Sequence, residues 1–262
     1  MGQVMDNLKL MKNVRDLESP QTLLELIAGM GQHMALYQSG IQEIRTKLEI
    51  LQRDARFGEG HNPIDSIKSR IKSPMSIIEK MYRKGFPISL DSMRANLNDV
   101  AGIRVICPFI EDIYTVAQML TRQDDLVVIK EKDYIKNPKP NGYRSYHLVL
   151  QVPVFLSDRK EMVRVEVQLR TIAMDFWASL EHQIHYKTSC EVPDSVVDEL
   201  KQCADIIAQT DERMQQLSKQ IRCFNAQPTS EGGEEAQEHP LGSLISASVV
   251  GIAGGMAGSH ND

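Results

Sequence analysis

Cysteine is scarce in this chain and poorly spaced for chemistry. The four cysteines, Cys107, Cys190, Cys203 and Cys223, include no CxxC pair and no zinc-finger spacing to histidine, so neither a structural zinc site nor a dithiol redox centre is in view. Cys107 follows an apolar run and reads as a small buried hydrophobe. The set as a whole reads as reduced thiols in a cytoplasmic protein. The first residues, MGQVMDNLKLMKNVRD, hold no continuous apolar stretch, which argues against a secretory signal. No apolar run is long enough to span a membrane, so no membrane partner is expected. An excess of positive charge is missing too. Lys and Arg number 30 against 35 Asp and Glu, a net charge of −5, so any nucleotide or RNA site must be a local basic patch on an acidic body. There is no internal repeat and no RRM, KH or cold-shock pattern.

What is present is an ordinary soluble composition. It is 42% hydrophobic and 25% charged over 262 residues, enough for one domain with extensions or two small ones. Residues 1–19 are weakly patterned and read as a flexible N-terminal arm. From Pro20 to Arg56, residues such as Leu23, Ile27, Met30, Met34, Tyr37, Ile41, Ile44 and Leu48 recur at helical spacing and predict one or two amphipathic helices. Asn62-Pro63, a cap followed by proline at the first helical position, predicts another helix through Ile64, Ile67, Ile71, Ile77, Ile78 and Met81, stopped by Gly85-Phe86-Pro87. Strands are predicted at Gly102–Cys107, Leu126–Ile135, Ser145–Val152 and Met162–Leu169, with a hairpin connection around Leu156–Arg159. Further helices are predicted at Glu111–Arg122, Thr171–Tyr186 and Pro193–Phe224. Helices and strands alternating around one sheet give an α/β or α+β class with a mixed sheet. From residue 226 to 262 the glycine-rich sequence reads as a disordered tail.

The chemistry concentrates in KNPKPNGYRSYHLVLQ, Lys136–Gln151, and RVEVQLRTIAMDFWASLEHQIHYK, Arg164–Lys187. Along the second segment Val163, Val165, Val167 and Leu169 take one face of a strand and Arg164, Glu166, Gln168 and Arg170 the other. By itself that is a half-buried strand with a solvated polar face. Along the first, Ser145, His147, Val149 and Gln151 share a face, so pairing of the two strands brings His147 and Glu166 to one open face. Asp99, just before the Gly102 strand, reads alone as a turn or cap residue. With Glu166 it makes a sparse two-carboxylate set suited to Mg2+, an ion that takes its other ligands from water and substrate phosphates. Arg70, Lys72, Lys80, Arg104, Lys130, Lys132, Lys136, Lys139 and Arg144 gather around that face as a cradle for polyphosphate. Asn141-Gly142 is a turn signal that puts Tyr143 at a loop tip, where its ring stacks on a base or packs under the loop.

In order along the chain, SRIKSPMSIIEKM, NDVAGIRVIC, KDYIKNPKPNGYRSYHL and VEVQLRTIAMDFWASLEHQIHYK resemble the synthetase domain of the RelA/SpoT family, and within it the small alarmone synthetases. The resemblance covers roughly residues 63–187 and the long C-terminal helix. It implies transfer of pyrophosphate from ATP to the ribose 3′-hydroxyl of GDP or GTP, giving ppGpp or pppGpp and AMP for the stringent response. It implies a nucleotidyltransferase-like mixed sheet of about five strands flanked by helices, with long N- and C-terminal helices. The synthetase domain then spans 20–225, and the assembly is a homotetramer. Asp99 and Glu166 are implied to be the catalytic pair and the Mg2+ ligands, with Glu166 also the base. Arg70, Lys72, Lys80 and Arg104 are implied to bind ATP, the arginines at adenine and the lysines at phosphate. Lys132, Lys139, Asn141, Tyr143, His147 and Gln168 are implied to bind GDP or GTP.

Departures from the family pattern carry information as well. No His-Asp dipeptide occurs, so the alarmone hydrolysis of bifunctional members is not expected. Some small synthetases are activated by pppGpp in a central cleft. At the matching places this chain holds Arg45 but also Glu49, Ser66 and Asp175, and the added carboxylates predict weak or no activation. Two other functions fit the same motifs: a single-stranded RNA-binding regulator, and a pyrophosphokinase acting on tRNA 3′ ends.

Overall fold

The computed structural model describes residues 20–58, 61–187 and 193–226. The expectations for 1–19 and 227–262, and Cys190, lie outside the described residues. The chain divides into two compact units, Met1–Gln220 and Ile221–Asp262. All strands among the described residues lie in the first, and of the second only the last residues of the final helix are described.

The elements run α1 (Pro20–Gly58), β1 (Ser66–Ile71), α2 (Pro74–Arg83), α3 (Leu90–Asn96), β2 (Ala101–Cys107), α4 (Ile110–Thr121), β3 (Val127–Asp133), β4 (Tyr146–Phe155), β5 (Lys160–Thr171), α5 (Ile172–Lys187) and α6 (Asp194–Ala226). Five strands form one sheet in the order β1-β2-β5-β4-β3, with β2 and β5 parallel and the other pairs antiparallel. The expected mixed five-stranded α/β architecture is what the chain adopts.

Alternation decides which face is covered. Ala101, Ile103 and Val105 of β2, Val163, Val165, Val167 and Leu169 of β5, and Leu148, Leu150 and Val152 of β4 are all buried on one face. Helix α1 lies across it and packs on β5, β4 and β2 through Met30, Tyr37, Ile41, Ile44 and Leu48. The approach is close at Gly40, where an added Cβ would sit 2.7 Å from Cγ1 of Val163. The N-terminal helical pattern is therefore one continuous helix. The β4–β5 hairpin closes through the Leu156 amide donating to the Arg159 carbonyl at 2.8 Å, at the predicted connection.

Two elements differ from the sequence expectation. The helix predicted from Asn62-Pro63 is instead strand β1 followed by helix α2. Ile67 and Ile71 fit both a helical and a two-residue period, and a stretch this short does not discriminate. The open edge of β2 claims it: the Asp65 amide donates to the Ile106 carbonyl at 2.8 Å and the Lys72 amide to the Val100 carbonyl at 2.9 Å, extending the ladder at both ends. The true cap is Ser73, whose hydroxyl accepts from the Ser76 amide ahead of Pro74. Asn62 makes only a local turn, accepting from the Ile64 amide. Helix α3 went unread in the sequence. Strand β3 stops at Asp133 because its carboxylate accepts from the amides of Ile135 and Lys136 and turns the chain.

Gly40→Ala is expected to gain about 1 kcal/mol in helix propensity and to lose about 1–3 kcal/mol by overpacking against Val163. Urea denaturation of a double-mutant cycle should show the substitution less costly in a Val163→Ala background, which removes the 2.7 Å contact and leaves the one to Cβ of residue 163 at 3.0 Å.

Candidate active site

Two rows of side chains cross the uncovered face of the sheet, one residue from each strand. Register puts Lys68, Arg104, Gln168, His147 and Lys132 in the first row, and Arg70, Gly102, Glu166, Val149 and Lys130 in the second. Glu166 is therefore at the centre of the central strand. Its neighbour Gly102 leaves the floor open: a Cβ there would meet only the carbonyl oxygen and Cγ of Arg70, at 3.8 and 3.9 Å.

Asp99 stands in the loop that feeds β2. Its Oδ2 accepts from Nζ of Lys72 at 2.8 Å and from Nζ of Lys80 at 2.6 Å, while Oδ1 is buried with no hydrogen-bond partner. Burial pushes the Asp99 carboxyl up, but the two ammonium groups outweigh it and hold it below the usual carboxylate range. Glu166 is treated alike. Burial pushes it up, and His147 and Gln168 bring it below its ordinary value against the opposing charge of Asp99. Nε2 of Gln168 donates to Oε2 at 2.7 Å, and Nδ1 of His147 is 3.6 Å from Oε1. Both acids are ionised at neutral pH. An ionised pair with an orphaned oxygen suits a hard divalent cation. Among the described residues no group of three or more His, Cys, Asp or Glu could hold a metal, so the donor set is a partial one that a substrate would complete.

These acids separate two clefts. One, of about 400 Å³, is lined on its far side by Lys130, Lys132, Tyr134, Lys139 and His147. The other, of about 140 Å³, is lined by Arg70, Gly102, Arg104 and Gln168. Asp99 and Glu166 line both. The planar guanidinium of Arg104 is fixed by Asp175 at 2.9 Å. Lys80 lines the larger cleft, and Lys72 reaches the site through Asp99.

The strand at β1 relocates two residues expected on a helix. Arg70 projects from β1 beside Gly102, and Lys72 follows the end of that strand; Lys80 alone is helical, on α2. Asn141 and Tyr143 line neither cleft. The Asn141 side chain donates to Glu181 and accepts from the Tyr143 amide, which makes it a turn residue. Gly142 has φ +86° and lies against Ala204 of α6. The Tyr143 ring is half-buried, with the Lys139 ammonium 4.5 Å from its centroid, and its hydroxyl meets His147 Nε2 at 2.8 Å. Arg144 turns away to the Ala204 carbonyl and Asp205 and anchors the loop on α6. Sequence reasoning missed Tyr134, whose ring packs edge-on to His147 and whose hydroxyl accepts from Lys132. It also passed over Arg170 as ordinary charge, and no local pattern marked it. Of the residues matched to the pppGpp cleft, Arg45 is paired with Glu49 and Asp175 with Arg104 and Arg170.

Residues 69–191 match the region found in RelA / SpoT proteins. The GTP pyrophosphokinase YwaC of Bacillus subtilis is 47% identical over 188 residues, 72% of this chain and 90% of the relative. Among solved structures, small alarmone synthetase 2 from Bacillus subtilis superposes with a TM-score of 0.67 at 45% identity, covering 73% of this chain and 98% of its own. Small alarmone synthetase 1 from the same organism, bound to its product pppGpp, gives a TM-score of 0.69 at 34% identity, over 74% and 98%.

The lowered Asp99 carboxyl contributes stability that is fully present above its unfolded value, about pH 4, and is lost as the pH falls through the lower folded value. The stability gap between wild type and Asp99→Asn is therefore expected to narrow below about pH 4, as read by urea denaturation at successive pH values.

Proposed function

The chain belongs to the RelA/SpoT family, and from that premise and the geometry of its two clefts we propose that it is a GTP pyrophosphokinase of the small alarmone synthetase kind. It transfers pyrophosphate from ATP to the ribose 3′-oxygen of GDP or GTP. The observation that carries the reading is the shared wall: Asp99 and Glu166 line both clefts, so a donor in one and an acceptor in the other meet at the same two carboxylates.

Adenine takes the smaller cleft between Arg70 and Arg104, since guanidinium planes stack on π-systems. Lys72 and Lys80 exchange Asp99 for the phosphates of ATP, one anion replacing another at the same ammonium groups. The acceptor takes the larger cleft, with Lys132 and Lys139 at its phosphates and His147 beside its ribose, while Gln168, on the side of the smaller cleft, meets the reacting centre through its bond to Glu166. Guanine lies on the ring of Tyr143 that Lys139 now covers, in the loop held by Asn141. Glu166 accepts the proton of the 3′-hydroxyl as that oxygen bonds to the β-phosphorus. The bond from the β-phosphorus to the oxygen bridging to the α-phosphate breaks, and AMP leaves with that oxygen and its electron pair. The lysines stabilise the charge that gathers on the phosphoryl oxygens. Mg2+ held by Asp99 and Glu166 would neutralise phosphate charge across the shared wall.

The assembly we infer is a homotetramer. Ile172, Phe176, Leu180 and Ile184 recur every four residues on α5 and are all exposed, Phe176 by 60%, an apolar row of the kind that seats another copy. No helix among the described residues is long and apolar enough to cross a membrane. The nucleotide substrates and the free thiols of Cys107 and Cys203 support a cytoplasmic enzyme.

Purified chain with Mg2+, ATP and GDP or GTP is expected to yield ppGpp or pppGpp with equimolar AMP by chromatography. Glu166→Gln should lose at least about 100-fold in rate. Product on a tRNA 3′ end in place of a free nucleotide, or RNA binding with no product, would reassign the function. Light scattering should give a tetramer, and Phe176→Glu a smaller species.

A further inference from the structure

Arg170 is a buried cation that the transfer chemistry does not use. It is only 4% exposed and lines neither cleft, and a buried guanidinium needs partners. Its NH1 donates to Asp175 Oδ1 at 3.2 Å. Its NH2 donates to the Tyr143 hydroxyl at 2.7 Å and to Gln168 Oε1 at 2.9 Å. Asp175, 8% exposed in the first turn of α5, also pairs with Arg104 and with Lys68 at 3.5 Å, so the anchor is itself held.

Arginine only donates, and that fixes the polarity of everything beyond it. Gln168 turns its oxygen to Arg170, so its Nε2 faces Glu166 Oε2. The Tyr143 oxygen accepts from Arg170, which leaves its own proton to point at His147 Nε2, 2.8 Å away, the arrangement we infer. A neutral His147 accepting at Nε2 carries its proton on Nδ1, the nitrogen facing Glu166 Oε1 at 3.6 Å. The opposite polarity would set an imidazole lone pair and an amide oxygen against the two carboxylate oxygens. Two arms thus leave one guanidinium and end at Glu166: the Gln168 amide donates to Oε2 at 2.7 Å, and His147 Nδ1 faces Oε1 at 3.6 Å.

We propose that Arg170, anchored by Asp175, is a positioning residue that sets the donor direction of this ring and thereby fixes the orientation of Glu166. Its kinetic consequence rests on the pyrophosphokinase reading; the polarity does not. The test uses the full chain with Arg170→Met, which removes the donors, and Arg170→Lys, which keeps a charged donor. Nitrogen-15 NMR of His147 in alkaline buffer is expected to show the Nδ1–H tautomer in wild type and in Arg170→Lys, and a shift towards Nε2–H in Arg170→Met. Under turnover, Arg170→Met should lose about 10- to 100-fold in kcat, a larger change than in KM for the acceptor, whose guanine-binding Tyr143 it also touches along with Gln168, and Arg170→Lys should recover part of the loss. Folded Arg170→Met with the wild-type tautomer or the wild-type kcat overturns the proposal. If Arg170→Met does not fold, Arg170→Lys decides: the Nδ1–H tautomer supports the assignment and its loss overturns it. A wild-type chain that makes no alarmone yet shows the tautomer shift supports the positioning role and overturns only the activity.

Discussion

An ionised carboxylate at the middle of a sheet must be compensated on every side, and the polar half of this protein is organised around meeting that demand for Glu166. Burial alone would drive the acid neutral. The register of β4 against β5 prevents this, because it sets Gln168 two residues along the same strand and His147 diagonally across on β4. Asp99 poses the same problem at the edge of the site, and Lys72 and Lys80 answer it. The opposite face of the sheet carries no such burden. There Val163, Val165, Val167 and Leu169 need only apolar neighbours, which α1 supplies.

The two clefts differ in where the guanidinium groups lie. Both arginines, Arg70 and Arg104, line the smaller cleft together with Lys68, and a flat guanidinium matches a flat base; the cations of the larger cleft are all lysines, mobile point charges that suit phosphate oxygens. Asp99 mediates between them. It holds two ammonium groups close together that would otherwise repel, so the site carries its own counter-charge.

How much of this is legible in the sequence follows from the range of each interaction. A two-residue period sustained from Val163 to Arg170 reads as a strand, and the face holding Glu166 follows directly. β1 does not read as a strand because Ile67 and Ile71 suit either period; the partner that settles the matter, β2, is remote in sequence. Asn141-Gly142 announces a turn correctly. Where its side chains go depends on α6, some 60 residues on, which takes the Gly142 backbone and the Arg144 guanidinium. Arg164 and Arg170 look equivalent along the strand. One caps the carbonyls of Arg94 and Ala95 at the end of α3 and the other is buried against Tyr143, a distinction that belongs wholly to tertiary structure.

The strand order has a consequence for how such a protein can diverge. Arg104, Glu166, Gln168 and His147 lie on the three interior strands, whereas Arg70 is on one edge strand and Lys130 and Lys132 are on the other, beside a bulge. An edge strand tolerates substitution because it is paired on one side only and β3 is exposed nearly throughout. Ligand preference can therefore drift at the margins of the sheet while the reacting centre stays under the full constraint of the interior, and descendants of one ancestor could inherit the reaction and change what it is performed upon.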